Sequence, residues 1–254
     1  MEWTAKQMMA VALSRQIENG KTYIIGTGLP LIGGTLAKNI HAPDARLIFE
    51  TALFEGSPQE LPTSVSDLRI HYQASVLWPQ YRYFGFQALA GCRGGIDAGF
   101  LGGAQIDPYG NLNSTCIGDY RHPKTRFTGS GGANGIATYC DTIIVMKHEK
   151  RRFIRRVDYV TSPGWIDGPE GRKRLGLLPD KGPRAVITEL GILRFDSESR
   201  RMYLAEVFPN VRVEDVLENT GFPLDTDRCV ESPPPTEEEL LVLSTKVDPA
   251  GMMT

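Results

Sequence analysis

The feature that most constrains the fold is a glycine turn and a helical stretch set between two short apolar runs: KTYII, GTGLP, LIGGTLAKNI, then RLIF. KTYII at residues 21–25 reads as a buried strand, and GTGLP turns the chain. Pro30 suits the first turn of a helix, where its missing N–H is not needed, and RLIF at residues 46–49 supplies a second strand. Strand, helix and strand make a βαβ unit, so the two strands are expected to run parallel. The residue that follows the second strand is Glu50. Open parallel sheets hold their ligand crevice at the carboxyl ends of the strands, which makes a carboxylate at this point a candidate functional group.

A chain of 254 residues with 41% hydrophobic content has enough apolar material for one large α/β core. The expectation is a single domain over 1–254, an open, largely parallel sheet flanked by helices, with a C-terminal helical tail from about residue 232. Before the βαβ unit, Thr4 is a candidate N-cap for an amphipathic helix, with Gly20 as its stop. After it, residues 55–66 read as an irregular loop and DPYGN, at 107–111, as a turn. DTIIVMKHE and RAVITEL are expected core strands, and GILRFD with RRMYLAEVF an expected hairpin. VEDVLENTG reads as a short helix, and SPPP as a hinge before the acidic helix EEELLVLSTKV.

The charge balance argues against several partners. A formal net charge of −2 gives no basic field for nucleic acid. No apolar run approaches the ~20 residues that span a bilayer, and the N-terminal stretch carries Glu2, Lys6, Arg15 and Glu18, so neither a membrane span nor a signal peptide is expected. Cys92, Cys116, Cys140 and Cys229 form no CxxC pair, and His41, His71, His122 and His148 are isolated. No metal site, and a reduced cytoplasmic location, are therefore expected.

Three readings of Glu50 compete. Strand, GxG turn, helix and acid-terminated strand is the layout in which an acid holds an adenosine ribose, but GTGLPLIGG puts Leu31 where that fingerprint wants its third glycine, with Gly33 and Gly34 arriving late. A second reading has Glu50 capping a turn or pairing with an arginine such as Arg46. The third makes it reactive. Two further glycine-rich segments, GGAQIDPYGNLNST at 102–115 and FTGSGGANGIATYC at 127–140, offer main-chain N–H groups suited to phosphate or an oxyanion, although plain turn chemistry explains either one alone.

Taken in order, GTGLP, Glu50 after its strand, GGAQIDPYGNLNST, HPKTRFTGSGGANGIAT, HEKRRF, DYVTSPGWIDGP and EDVLENTGF resemble the β subunits of the class I coenzyme A transferase family, glutaconate type. The resemblance runs through nearly the whole chain. It implies that Glu50 is the nucleophile: a carboxylate attacks an acyl-CoA thioester, forms a mixed anhydride, and is converted by the released thiolate to a glutamyl-CoA thioester. It also implies that Gly26, Thr27 and Gly28, with Gly129, Ser130, Gly131, Gly132, Ala133 and Asn134, line the acyl-CoA cleft beside Gly103 and Gln105 and supply oxyanion donors. Coenzyme A is then substrate and covalent intermediate, with no permanently bound cofactor. A separate α subunit in an α2β2 or larger assembly is implied as partner.

Relatives that transfer CoA often follow the glutamate with a small polar residue and glycine, whereas here Thr51 and Ala52 follow. The alternative functions are a CoA-ester hydrolase or glutaconyl-CoA-type decarboxylase, in which Glu50 would act as a general base, and a noncatalytic ligand-binding subunit. Glu55 and Glu60 are the neighbouring carboxylates that would replace Glu50 if it were not the nucleophile. The basic run 147–156 is read as a solvated strand end and turn before a phosphate site. The aromatic run 78–86 and Trp165 are read as packing before a substrate wall.

Overall fold

The computed structural model of the chain describes residues 2–56, 61, 62, 64 and 67–252. In chain order the elements are α1 (Ala5–Ser14), β1 (Thr22–Ile25), α2 (Leu29–Ile40), β2 (Arg46–Phe49), β3 (Leu53–Phe54), β4 (Val76–Leu77), α3 (Gln80–Cys92) and β5 (Ala98–Leu101). They continue with β6 (Gln105–Ile106), β7 (Leu112–Asn113), β8 (Cys116–Gly118), β9 (Pro123–Arg126), α4 (Ala133–Tyr139), β10 (Asp141–Val145), α5 (Gly171–Arg174) and β11 (Pro183–Ile187). The last are β12 (Gly191–Phe195), β13 (Met202–Val207), α6 (Val213–Glu218), β14 (Val230–Glu231) and α7 (Glu237–Val242). The chain divides into two compact units, Met1–Phe100 with Pro234–Thr254, and Leu101–Pro233.

In the first unit the strands lie in the order β5, β1, β2, β3, β4. The expected βαβ unit is present: β1 pairs in parallel with β2, and also with β5. β3 and β4 then add antiparallel. Thr4 caps α1, its hydroxyl accepting from Gln7 N at 3.1 Å while Gln7 Oε1 accepts from Thr4 N at 2.9 Å. The helix stops at Ser14, before the expected Gly20, which instead turns the chain into β1 with φ +74°.

The two glycines that come too late for a dinucleotide fingerprint are explained by packing. A Cβ on Gly33 would lie 2.6 Å from Leu13 Cβ of α1, and one on Gly34 2.5 Å from Ile25 Cδ1 of β1. α2 is thus pressed between helix and sheet at a distance only glycine allows. The C-terminal segment returns to this unit: Leu243 and Val247 join Ala10, Val11, Ile32 and Leu36 in one apolar cluster. Arg15 holds it there through Nε to Glu239 Oε1 (2.9 Å), a second bond to Glu239 Oε2 (2.7 Å), and one to the Pro234 carbonyl (2.9 Å).

In the second unit the order is β10, β11, β12, β13, β14, with β10 and β11 parallel and the expected β12–β13 hairpin antiparallel. The DPYGN turn is pinned by the buried Asp107, whose Oδ1 accepts from Tyr109 N (3.0 Å) and Asn111 N (3.1 Å). Burial pushes its carboxyl up to about 6 against those hydrogen bonds. Asn111 carries the turn to the SPGWIDGP loop, donating to the Ile166 carbonyl (2.7 Å) and accepting from Gly164 N (2.9 Å). Trp165 is buried in that loop, donates Nε1–H to the Pro183 carbonyl (3.2 Å) and stands against Gly182, so it belongs to the core of this unit.

His148, also buried, lies flat on Phe153 (centroids 4.0 Å apart, planes at 4°), with Nδ1 3.2 Å from Thr188 Oγ1 and Nε2 2.9 Å from Thr220 Oγ1. Thr220 donates its own proton to the Val216 carbonyl (2.8 Å) and Thr188 to the Gly191 carbonyl (3.2 Å). Burial lowers the pKa of His148 from 6.5 to about 4.

Two outcomes are expected. Gly33→Ala should destabilise the chain by roughly 1–3 kcal/mol in denaturant unfolding, because Leu13 cannot retreat without moving α1. For His148, the unfolded ring takes up a proton below 6.5 while the folded ring stays neutral to about 4. Stability is therefore lost as pH falls through that window, by roughly 3 kcal/mol. Unfolding free energies measured between pH 7 and 4.5 should fall less steeply in His148→Gln than in the parent chain.

Candidate active site

The predicted site residues fall into two groups, one in each unit. In the first unit the β1–β2 register pairs Ile25 with Phe49, so Gly26 and Glu50 leave adjacent parallel strands at one level, a strand spacing of roughly 5 Å apart. Gly26 has nothing within 4 Å of where a Cβ would stand, which leaves the loop open on that side. Gly28 has φ +83° and ψ −147°, a conformation that requires glycine, and it precedes the first turn of α2 with no side-chain cap. GTG and Glu50 are thus brought together by the sheet.

Beyond Glu50 the chain does something the sequence did not reveal. It turns straight back: β2 and β3 form a hairpin whose register pairs Phe49 with Leu53, and Glu50, Thr51 and Ala52 are its three-residue loop. Ala52 N donates to the Phe49 carbonyl at 3.0 Å, and Ala52 itself has φ +66°. This is the three-residue hairpin geometry in which the last loop position is left-handed and favours glycine. Alanine holds it at a cost of roughly 1–2 kcal/mol. Ala52 is fully buried, and its carbonyl accepts from Trp78 N at 3.1 Å.

The aromatic run supports this hairpin. Phe54, Trp78 and Phe86 meet edge to face with centroids 5.0–5.4 Å apart. Glu50 is half-buried at the tip. Thr51 Oγ1 is buried without a hydrogen-bond partner among the described residues, an arrangement that ordinarily costs roughly 1–3 kcal/mol.

Glu55 has a different task. Its Oε1 accepts from Leu47 N (2.8 Å) and its Oε2 from Lys38 Nζ (3.0 Å), while its own N–H donates to the Leu47 carbonyl (2.9 Å). Both oxygens are committed near the start of β2, away from the tip. Arg46 donates to Thr22 Oγ1 (2.9 Å) and the Gly20 carbonyl (2.9 Å) at the opposite end of the same strand. Glu60 lies outside the described residues.

In the second unit Gly103 precedes the small β6–β7 ladder, and a Cβ there would meet Leu112 Cδ2 at 3.1 Å. Gln105 is buried and its amide is satisfied internally. Oε1 accepts from Asn113 Nδ2 (2.6 Å) and Asp158 N (3.1 Å), and Nε2 donates to Asp158 Oδ2 (3.0 Å). Gly129, Ser130, Gly131 and Gly132 form the loop before the seven-residue α4, with φ +95° at Gly129 and +51° at Gly131. Gly129 has open space where a Cβ would be, and Ala133 N donates to the Ser130 carbonyl (2.9 Å). Asn134 Nδ2 is turned inward to the Thr161 carbonyl (2.8 Å).

The anchor of this second loop is Arg172, which no spacing in the sequence singled out from its basic neighbours. It is fully buried, and its guanidinium donates to the carbonyls of Ala137 (3.1 Å) and Thr138 (3.0 Å) at the end of α4. Further bonds reach Pro163, Gly164 and Leu178. Burial lowers its pKa to about 10, which leaves it charged at neutral pH.

A cleft of about 390 Å³ beside Gln105 is lined by Ala104, Phe127, Arg151 and Arg152 among others. Both arginines of this cleft bind Glu149 Oε2, at 2.7 and 2.9 Å. A larger cleft of about 570 Å³ lies along the β12–β13 hairpin and contains none of the predicted residues. Among the described residues no cluster of His, Cys, Asp and Glu could hold a metal ion, and no helix is long and apolar enough to cross a membrane.

Comparison with known proteins gives a consistent picture. The chain is 54% identical to the B-type subunit of glutaconate CoA-transferase from Acidaminococcus fermentans over 97% of its own length and 93% of that protein. It is 38% identical to the B-type subunit of 3-oxoadipate CoA-transferase from Pseudomonas knackmussii over 95% and 92%. Its fold superimposes on the crystal structure of the Acidaminococcus fermentans glutaconate coenzyme A-transferase with a TM-score of 0.96, covering 99% of this chain and 97% of that one. The family pattern described as coenzyme A transferase matches residues 6–219, and the chain belongs to the coenzyme A transferase family.

Proposed function

We propose that this chain is the B-type subunit of a glutaconate CoA-transferase, with Glu50 as the nucleophile. The observation that carries the assignment is the placement of Glu50: a half-buried carboxylate at the tip of a fixed hairpin, level with the open GTG loop, while neighbouring Glu55 is tied into the scaffold. The acid exchanged is glutaconate or another short dicarboxylate, supported by the likeness to the Acidaminococcus fermentans protein.

In this reading the Glu50 carboxylate attacks the thioester carbonyl of an acyl-CoA. The C–S bond breaks, CoA leaves as its thiolate, and an acyl-glutamyl anhydride remains. The thiolate then attacks the carboxyl carbon of Glu50, releasing the first carboxylic acid as its anion and leaving a glutamyl-CoA thioester. An acceptor carboxylate reverses the two steps and departs as the new acyl-CoA. Each tetrahedral intermediate carries an oxyanion, for which main-chain N–H groups of 26–28, level with Glu50, are the proposed donors, worth roughly 3 kcal/mol apiece, while the 129–134 loop is proposed to bind the acyl-CoA.

Gly103 and Gln105 are proposed to lie against the acyl-CoA beside the second loop, with the Gln105 amide held in place by its bonds to Asn113 and Asp158. CoA is substrate and transient covalent partner, with no permanently bound cofactor. The companion is a separate A-type subunit, supported by the relatives, each of which is itself a B-type subunit; an α2β2 or larger assembly in the cytoplasm is proposed with it.

Glu50→Gln, assembled with the companion subunit, should lose at least ~10³-fold in CoA exchange between an acyl-CoA and a free acid, while its melting temperature stays near that of the parent. A variant that retains more than a tenth of the exchange rate would contradict the assignment. Consumption of acyl-CoA without exchange by the parent protein would instead indicate hydrolysis or decarboxylation.

A further inference from the structure

The loop that carries Glu50 concentrates two unfavourable features in three residues. Ala52 sits in a left-handed conformation, and Thr51 Oγ1 is buried with no hydrogen-bond partner among the described residues. A hairpin loop of this length forms without a hydroxyl at its middle position. Valine, of the same shape, would fill the space and leave no donor to desolvate. Local strain and orphaned polar groups of this kind collect where a ligand or a reacting group completes them. The neighbouring scaffold does not use the hydroxyl: Ala52 N closes the turn on the Phe49 carbonyl, and Glu55 and Lys38 brace the strand.

Granting that Glu50 is the nucleophile, we infer that the Thr51 hydroxyl is a catalytic hydrogen-bond donor to the oxyanion formed on the Glu50 carboxyl carbon. That carbon becomes tetrahedral twice in a turnover, once when the CoA thiolate attacks the anhydride and once when the acceptor carboxylate attacks the glutamyl-CoA thioester. In each event the former carbonyl oxygen gains the negative charge. Thr51 keeps its proton throughout and accepts no bond. The first intermediate collapses by expelling the acyl carboxylate, the second by expelling the CoA thiolate. A donor one residue along the same loop travels with Glu50, so it serves both collapses without depending on which acyl group is bound.

The test compares Thr51→Val and Thr51→Ser with the parent in the assembled complex. Formation and acid-triggered discharge of the glutamyl-CoA adduct are followed by rapid quench and peptide mass spectrometry. Thr51→Val should slow both steps about 10²-fold and lower kcat equally, with KM for acyl-CoA changed less than about threefold. Thr51→Ser should recover most of the loss. The melting temperature of Thr51→Val should equal or exceed that of the parent, since an unpartnered buried hydroxyl has been removed. Adduct formation and discharge at parental rates in Thr51→Val would overturn the inference and leave the role of Glu50 intact. A lowered melting temperature in Thr51→Val would also overturn it, by showing that the hydroxyl has a structural partner. No adduct in the parent would remove the Glu50 assignment itself, and this inference with it.

Discussion

The parallel pairing of Ile25 with Phe49 is the contact on which the proposed active site depends. It sets the level at which both strands end, and so places the GTG turn beside Glu50. Behind that pairing α2 packs closely, an approach permitted by Gly34 against Ile25 and by Gly33 against Leu13 of α1. The returning C-terminal segment adds Leu243 and Val247 behind the same layer and is tied by Arg15 to Glu239. Sequence, packing and site are therefore linked through glycines that have no direct part in chemistry.

The hairpin tip is where local stability is given up. An alanine in a left-handed conformation and a buried threonine hydroxyl with no partner among the described residues follow the reactive carboxylate, and the loop is held by elements outside it. Trp78 bonds to the Ala52 carbonyl, the Phe54–Trp78–Phe86 cluster fills the space beside β3, and Glu55 staples β2 through Leu47 and Lys38. The second glycine loop follows the same plan by other means. There Arg172 bonds the end of α4, and Asn134 and Thr161 fasten its start.

Much of this was legible in the sequence because it rests on local rules. The Thr4 cap, the βαβ unit, Pro30 in the first turn of α2, the DPYGN turn and the β12–β13 hairpin all express preferences of a few neighbouring residues. What escaped was set by distant partners. β3 is two residues long, too short to show periodicity, and the aromatic and glycine content of α3 masks its helical period. Gly33 and Gly34 look like displaced members of a nucleotide fingerprint until their neighbours are seen. Arg172 sits among Lys173 and Arg174, and only the fold shows that it alone is buried. The resemblance to a CoA-transferase β subunit was carried by motifs along the whole chain, and the family assignment bears it out. The left-handed Ala52 occupies a loop position whose conformation glycine adopts without strain.

The most direct test of this account is peptide mass spectrometry of the assembled enzyme after incubation with an acyl-CoA in the absence of acceptor acid. The account predicts a CoA adduct on the peptide containing Glu50, released when a carboxylic acid is added. Exchange activity in the same preparation with no adduct on that peptide would contradict it.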